Sequence, residues 1–310
     1  MNIYISGSMA YDRIMDFPGK FSDHILPDKL HILNVSFTVN GMAEKFGGTA
    51  GNIAYSLGLL REQPIIIATI GRDYGRYFEW LQKNNISVEG IKILDDEFTA
   101  GAYITTDKAD NQITGFNPGA MKYPSVFNVD AIEPENSIVL IAPGNLQDMI
   151  EYAAACRDKG IRYICDPGQS LTQWEGNTLR EWLEGAAMLI SNDYELHMII
   201  KMTGVEKKEL SGLVSTIITT LGEEGSMISA RGKDIIVPAA KVSEVLDPTG
   251  AGDAYRAGLL KGIAMGRDLQ TAAKMGAVSA TYAIEKYGTQ EHCFTYEDFA
   301  ERYRQNFGVL

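Results

Sequence analysis

DPTGAGDAYRAGLL, from Asp247 to Leu260, reads as a turn that opens a helix. Gly250 and Gly252 flank Ala251, Asp253 follows, and an alanine-rich helical run (Ala254, Ala257, Leu260, Ala264) ends near Gly266. Small residues at such a turn let successive backbone N–H groups point at one spot, where the helix start adds its positive dipole end. An anion collects there, and phosphate is the usual one. A carboxylate next to a phosphate cradle does not help to hold phosphate. Asp253 makes sense as a base if a hydroxyl must lose its proton while attacking the phosphorus. Taken alone, Gly-Ala-Gly-Asp reads sooner as a plain strand-to-helix turn with an acid in its first turn.

The rest of the chain narrows the choice. Its 310 residues suffice for one large α/β domain or two ordinary ones, with 45% hydrophobic and 22% charged residues. A formal charge of −12 argues against nucleic acid or an anionic membrane surface as a partner. A phosphate substrate remains compatible, because local amides and Mg²⁺ offset the global field. Cys156, Cys165 and Cys293 form no Cys-x-x-Cys pair and read as reduced thiols. Met1-Asn2-Ile3-Tyr4-Ile5 begins as a strand without a basic leader, and no apolar run is long enough for a bilayer span. The expectation is a cytoplasmic protein.

Ile3, Tyr4 and Ile5 open a strand that runs into Ser6-Gly7-Ser8, placing Asp12 just past its end. Ligands collect beyond the carboxyl ends of strands in an open parallel sheet. There an acid can accept hydroxyl hydrogen bonds from a sugar, although a cap or turn aspartate looks the same. Within residues 14–46, Pro18, Gly19, Pro27 and Gly41 interrupt short runs that alternate with period two, such as Leu33-Asn34-Val35-Ser36-Phe37-Thr38-Val39, and similar runs lie between Phe98 and Phe116. Two such insertions, over about 14–46 and 97–118, can pair into a small sheet that covers the site as a lid.

Gly47-Gly48-Thr49-Ala50-Gly51-Asn52 opens a second helix, with Ile53, Leu57 and Leu60 on one apolar face. The Asn52 amide both donates and accepts, which suits a diol; the glycines serve close packing equally well. G-x-G-x-x-G is missing there, which weighs against a dinucleotide-dependent oxidoreductase. Buried strands are expected at Ile65–Ile70, Ile138–Ile141, Ile161–Cys165, Ala187–Ile190 and Ser215–Thr219, alternating with helices. No linker divides the chain. The expected fold is a three-layer α/β/α domain over residues 1–310, with a mostly parallel central sheet and the small β-sheet lid inserted in it. Thr220-Leu221-Gly222-Glu223-Glu224-Gly225 reads as a hairpin turn, or as a backbone that approaches a ligand closely.

Taken in order, Asp12, Gly47-Gly48-x-x-x-Asn52, Asn192-x-x-Glu195, Thr220-x-Gly222-x-x-Gly225 and Asp247-x-Thr249-Gly250-Ala251-Gly252-Asp253 resemble the ribokinase-like (PfkB) sugar and nucleoside kinases. Tyr287-Gly288-Thr289-Gln290 fits too, so the resemblance spans almost the whole chain. It implies an ATP-dependent phosphotransferase. Asp253 would be the base, with the amides of Gly250, Ala251 and Gly252 as the anion hole. Asp12, Gly47, Gly48 and Asn52 would hold sugar hydroxyls, and Thr220, Gly222 and Gly225 the nucleotide. Asn192 and Glu195 would order Mg²⁺ and phosphate through water. The resemblance places the adenine pocket somewhere in residues 276–287. It also implies a K⁺ site at Asp247 and Thr249, where Pro248 stands in place of the family's common threonine.

Within the family, Tyr11-Asp12-Arg13-Ile14-Met15-Asp16, Gly51-Asn52-Ile53-Ala54-Tyr55 and Phe116-Asn117-Pro118-Gly119-Ala120-Met121 look most like adenosine and nucleoside kinases. Phe37 and Phe116 fall in the lid segments, where aromatic faces can stack a purine. Adenosine is therefore expected first, ribose or another free sugar second and a sugar phosphate last. A ligand-binding protein without catalysis is the reading from a different class. Bare lid edges invite pairing with a second copy; a monomer is the other possibility.

Overall fold

The computed structural model describes residues 1–32, 34–109 and 111–310, with the backbone alone at 27–29. Strands β1 (Asn2–Ser6), β2 (Ala10–Asp16) and β3 (Met42–Gly47) lead into helix α1 (Thr49–Leu59). Then come β4 (Ile65–Gly71), α2 (Gly75–Lys83), β5 (Ile91–Leu94), β6 (Ala100–Thr106) and β7 (Gln112–Asn117). The middle of the chain alternates through β8 (Ser137–Ile141), α3 (Leu146–Asp158), β9 (Arg162–Cys165), α4 (Gly176–Leu183) and β10 (Met188–Asn192). It continues with α5 (Asp193–Thr203), α6 (Lys207–Leu213) and β11 (Thr216–Thr220). A hairpin of β12 (Ser226–Ala230) and β13 (Lys233–Val237) precedes α7 (Ala251–Ala264), α8 (Leu269–Ile284) and α9 (Tyr296–Phe307).

The large sheet has 9 strands in the order β13-β12-β11-β10-β9-β8-β1-β4-β5. From β11 to β5 every pairing is parallel, and β12 and β13 add an antiparallel edge. Strand order reverses around β1, and such a reversal leaves a crevice beyond the strand ends. Strands buried on both faces need apolar residues on both, and β1 meets this by alternation. Ile3 and Ile5 pack with α1, α2, α7, α8 and α9, whereas Tyr4 packs with the layer of α3 to α6. That makes three layers. The expected α1 face is fully buried at Ile53, Leu57 and Leu60. Helices α7 and α8 lie so close that a Cβ on Gly258 would fall 2.4 Å from the Met275 carbonyl oxygen. Small residues in that stretch therefore let α7 pack closely on α8. Cys156, Cys165 and Cys293 are free thiols, the first two buried. Among the described residues no helix is long and apolar enough to cross a membrane.

The small sheet has the order β3-β2-β6-β7, with β2 and β6 parallel and the outer pairs antiparallel. The two insertions thus pair as expected, but two details differ. Asp12 does not sit in a loop past β1; it lies inside β2, because the chain turns at Gly7–Met9 straight into a new strand at Ala10. The alternating segment 34–39 is not a strand either, and Leu33 lies outside the described residues. Both edges of β2 are already taken, by β3 and β6. Phe37 instead packs its ring 4.8 Å from Phe17 and 5.2 Å from Phe21, centroid to centroid.

Candidate active site

A cleft of about 420 Å³ opens at the carboxyl ends of β8, β9, β10 and β11. Its wall includes Asn192, Glu195, Thr220, Gly222, Gly250, Gly252 and Asp253 of the expected residues, together with Thr49, Asp166 and Arg256. Gly250 caps α7 in the left-handed region at φ 81°, a conformation that costs a side chain but not glycine. The turn uses one amide internally, Ala251 N donating to Pro248 O at 3.2 Å. Among the described residues the amides of Gly250, Gly252 and Asp253 donate to no protein acceptor. These are the orphan donors of a helix start, and here they border open space. The donor set expected at Gly250, Ala251 and Gly252 is thus shifted, with the Ala251 amide largely engaged and the Asp253 amide free.

The Asp253 carboxylate is held from one side only. Asn52 Nδ2 donates to its Oδ2 at 2.8 Å, and Oδ1 accepts no hydrogen bond among the described residues. Asn52 is held in turn, because Gln290 Nε2 donates to its Oδ1 at 3.0 Å. Gln290 also donates to the Tyr77 hydroxyl (2.8 Å) and accepts from Trp80 Nε1 (2.8 Å), while Tyr77 donates to Gly47 O (2.7 Å). A Cβ on Gly51 would fall 1.9 Å from the Tyr77 hydroxyl, so the relay needs glycine there. Asn52 therefore orients the carboxylate, with its own oxygen already occupied.

Burial raises the Asp253 pKa to about 6, outweighing the neighbouring Arg256 charge and the Asn52 hydrogen bond. The positive end of a helix dipole favours an ionised carboxylate. Asp253 remains mostly ionised at neutral pH, but as a stronger base than an ordinary carboxylate. Arg256, one turn on, is itself buried and forms a two-pronged ion pair with Asp166, through Nε to Oδ2 and Nη2 to Oδ1 (2.6 Å). Burial raises the Asp166 carboxyl and the guanidinium pulls it back.

Asn192 and Glu195 form a capping box at the start of α5. Glu195 N donates to Asn192 Oδ1 at 2.7 Å and Asn192 N donates to Glu195 Oε2 at 2.8 Å. Burial raises the Glu195 carboxyl, helped by nearby Asp166 and opposed by the Asn192 amide and Arg256. No three of His, Cys, Asp and Glu gather into a metal cluster among the described residues. A Mg²⁺ that keeps waters and rests on phosphates needs only one or two carboxylates, and the remaining Glu195 oxygen at the cleft fits that need.

Other expected residues stand apart from this wall. Asp12 projects from β2 beside Gly47, where a Cβ would come 2.7 Å from Asp12 Oδ2. Burial raises its pKa, the Asp247 charge adds to this, and Lys45 opposes it. Gly48 turns at φ 88° into α1. Asp247 ties two loops together, accepting from Thr249 N at 2.9 Å and from Gly288 N at 3.0 Å. Burial would raise its pKa, but these donors and Lys45 hold it below the usual value. Gly225 serves the hairpin, since a Cβ would meet Val237 O at 2.1 Å. Phe116 stands 55% exposed on β7. Sequence reasoning gave no role to Arg256, Asp166, Gln290, Tyr77 or Trp80. Only the i, i+3 spacing of Asp253 and Arg256 hinted that the two share a helix face.

Fold and cleft define the class first: an α/β protein that can hold an anion beside a carboxylate, at the carboxyl ends of the parallel strands β8 to β11. Residues 11–295 match the pfkB family of carbohydrate kinases. Over 271 residues the chain is 31% identical to a nucleoside kinase of Methanocaldococcus jannaschii, covering 87% of this chain and 89% of that one. The structure of Burkholderia thailandensis nucleoside kinase in complex with inosine matches with a TM-score of 0.88 at 35% identity, covering 99% of both chains. Its complex with ADP-inosine gives 0.85 at 38% identity, covering 99% of this chain and 96% of that one. The chain belongs to the pfkB family of carbohydrate kinases, and its fold is ribokinase-like.

Proposed function

We propose that this protein transfers the γ-phosphoryl group of ATP to the hydroxymethyl group of a nucleoside, with adenosine as the first candidate. One observation carries the reading: a raised-pKa carboxylate, with one oxygen free, sits in the same helix turn as unpartnered amides facing a cleft. The named relatives support a nucleoside over a free sugar. In the transfer, the acceptor hydroxyl lies against Asp253 Oδ1. Its proton passes to the carboxylate late, as the new O–P bond forms and the bond to the ADP oxygen breaks. The free amides stabilise charge on the moving phosphoryl group. Asn52 and Gln290 fix the base, and the small sheet carrying Asp12 and Phe116 closes over the nucleoside as a lid. Mg²⁺ held with Glu195 supplies charge neutralisation on the phosphates. K⁺ beside the Asp247–Thr249 loop is a further part of the reading, and a rate unchanged when KCl replaces NaCl removes it.

The test is turnover of adenosine, inosine and ribose side by side with Mg-ATP. Higher kcat/KM for a nucleoside than for ribose supports the proposal, with adenosine expected above inosine. Preference for ribose makes the protein a free-sugar kinase. Ligand binding without phosphate transfer leaves the non-catalytic reading.

A further inference from the structure

Arg256 has no part in the chemistry described so far, yet its position is unusual. The residue is 8% exposed and its side chain still reaches the cleft wall. Two of its three guanidinium nitrogens are spent on Asp166. The third, Nη1, meets no acceptor among the described residues and lies 2.7 Å from where a Gly252 Cβ would be. A charged donor therefore stands beside the turn whose amides are free. The other charged groups on the wall, Asp166, Asp193, Glu195 and Asp253, are all acids.

Stability alone is a poor reason for this arrangement. A buried ion pair is often no better than well-packed apolar residues of the same size. Asp166 does, however, give the guanidinium a fixed orientation. A donor that needs no reorganisation is what a developing negative charge requires. Replacing Gly252 with any residue bearing a Cβ would push Nη1 away from the amides.

We propose that Arg256 is a further catalytic residue, whose free Nη1 donates a hydrogen bond to a non-bridging oxygen of the γ-phosphoryl group in transit. The inference rests on the kinase reading above. The acceptor oxygen forms its bond to phosphorus as the bond to the β–γ bridging oxygen breaks, and the ADP oxygen leaves with that electron pair. The acceptor proton goes to Asp253, and Arg256 keeps its own proton throughout. Asp166 is a positioning residue.

Three variants test this: Arg256→Lys, Arg256→Ala and the double variant Asp166→Asn/Arg256→Ala, which leaves no unpaired buried charge. Thermal melting establishes that each is folded. In the double variant kcat should fall about 10²–10³-fold while the nucleoside KM changes little. Added guanidinium at sub-denaturing, millimolar concentration should restore kcat by about tenfold, an effect that a purely structural ion pair would not show. Lysine, a point charge that cannot hold both Asp166 and the phosphoryl oxygen, should recover only part of the rate. A folded double variant turning over like wild type overturns the role of Arg256 and leaves the kinase reading intact. So does a slow, folded variant on which guanidinium has no effect. A wild-type protein that transfers no phosphate to any nucleoside or sugar sinks both.

Discussion

Two glycine-rich helix starts meet in this molecule, and only one is open. At α1 and α7 alike, a glycine at positive φ (88° at Gly48, 81° at Gly250) turns the chain into the helix. Each first turn carries a polar side chain, Asn52 and Asp253, and the two are hydrogen-bonded to each other. At α1, however, Ser8 takes the first two helical amides: Thr49 N donates to its hydroxyl and Ala50 N to its carbonyl oxygen, both at 3.0 Å. The first residues of that helix are buried. At α7 no side chain among the described residues plays the part of Ser8, and the donors face the cleft. Glycine and the helix dipole are common to both starts, so neither makes an anion site alone. What matters is whether the preceding chain has already satisfied the amides.

The sharpest way to break this contrast is to remove the base at the open start. Asp253→Asn should lower kcat by about 10²–10⁴-fold while ATP affinity, measured by calorimetry, stays close to wild type. The same substitution should make the protein more stable. Because folding raises the Asp253 pKa from 3.8 to about 6, the folded state favours the protonated form. Stability linked to this group is fully present below 3.8, is lost as pH rises toward about 6, and the deficit persists above that. Asn abolishes it, a gain of about 1–3 kcal/mol at mildly alkaline pH, with the lower end favoured because the carboxylate meets cleft water. Denaturant melts at alkaline and strongly acidic pH should show the gain in the first and none in the second. Equal melts at both would contradict the burial argument.

A smaller effect is expected from the relay that joins the two starts. Gln290→Met frees Asn52 to turn, and kcat should fall about tenfold with little change in the KM for ATP. Steady-state kinetics with unchanged kcat would make Gln290 a purely structural residue. Least of all, Ser8→Ala at the closed start should cost about 1 kcal/mol of stability, as loss of a cap does, with kcat per folded molecule unchanged. A large fall in kcat there would mean that the α1 amides take part after all.

Much of this was legible in the sequence because it is local. Continuous apolar runs marked β4 and β8, and the small residues around Asp253 marked the α7 start. The two period-two insertions did pair into one small sheet. The pattern failed at 34–39, since alternation alone does not make a strand, and the Phe37 ring packs on Phe17 and Phe21 instead. It failed at Asp12 because Ser6-Gly7-Ser8 marks where β1 stops, but nothing there signals that another strand begins at Ala10. Gln290 stood in a quoted motif, but its meaning depends on Asn52, Tyr77 and Trp80, more than two hundred residues away along the chain. Arg256 was hidden in an alanine-rich helix, where only its distant partner Asp166 shows which way it points.

The central claim is that Asp253 takes the proton at the open helix start, and the pH dependence of kcat/KM in wild type and Asp253→Asn tests it most directly. The groups around the carboxylate are Asn52, Arg256 and Asp166, and of these Arg256 and Asp166 carry charge in an ion pair. Wild-type kcat/KM should fall as pH drops through about 6, while the residual rate of the variant stays flat across that range. An acidic limb that survives unchanged in Asp253→Asn would mean that another group accepts the proton.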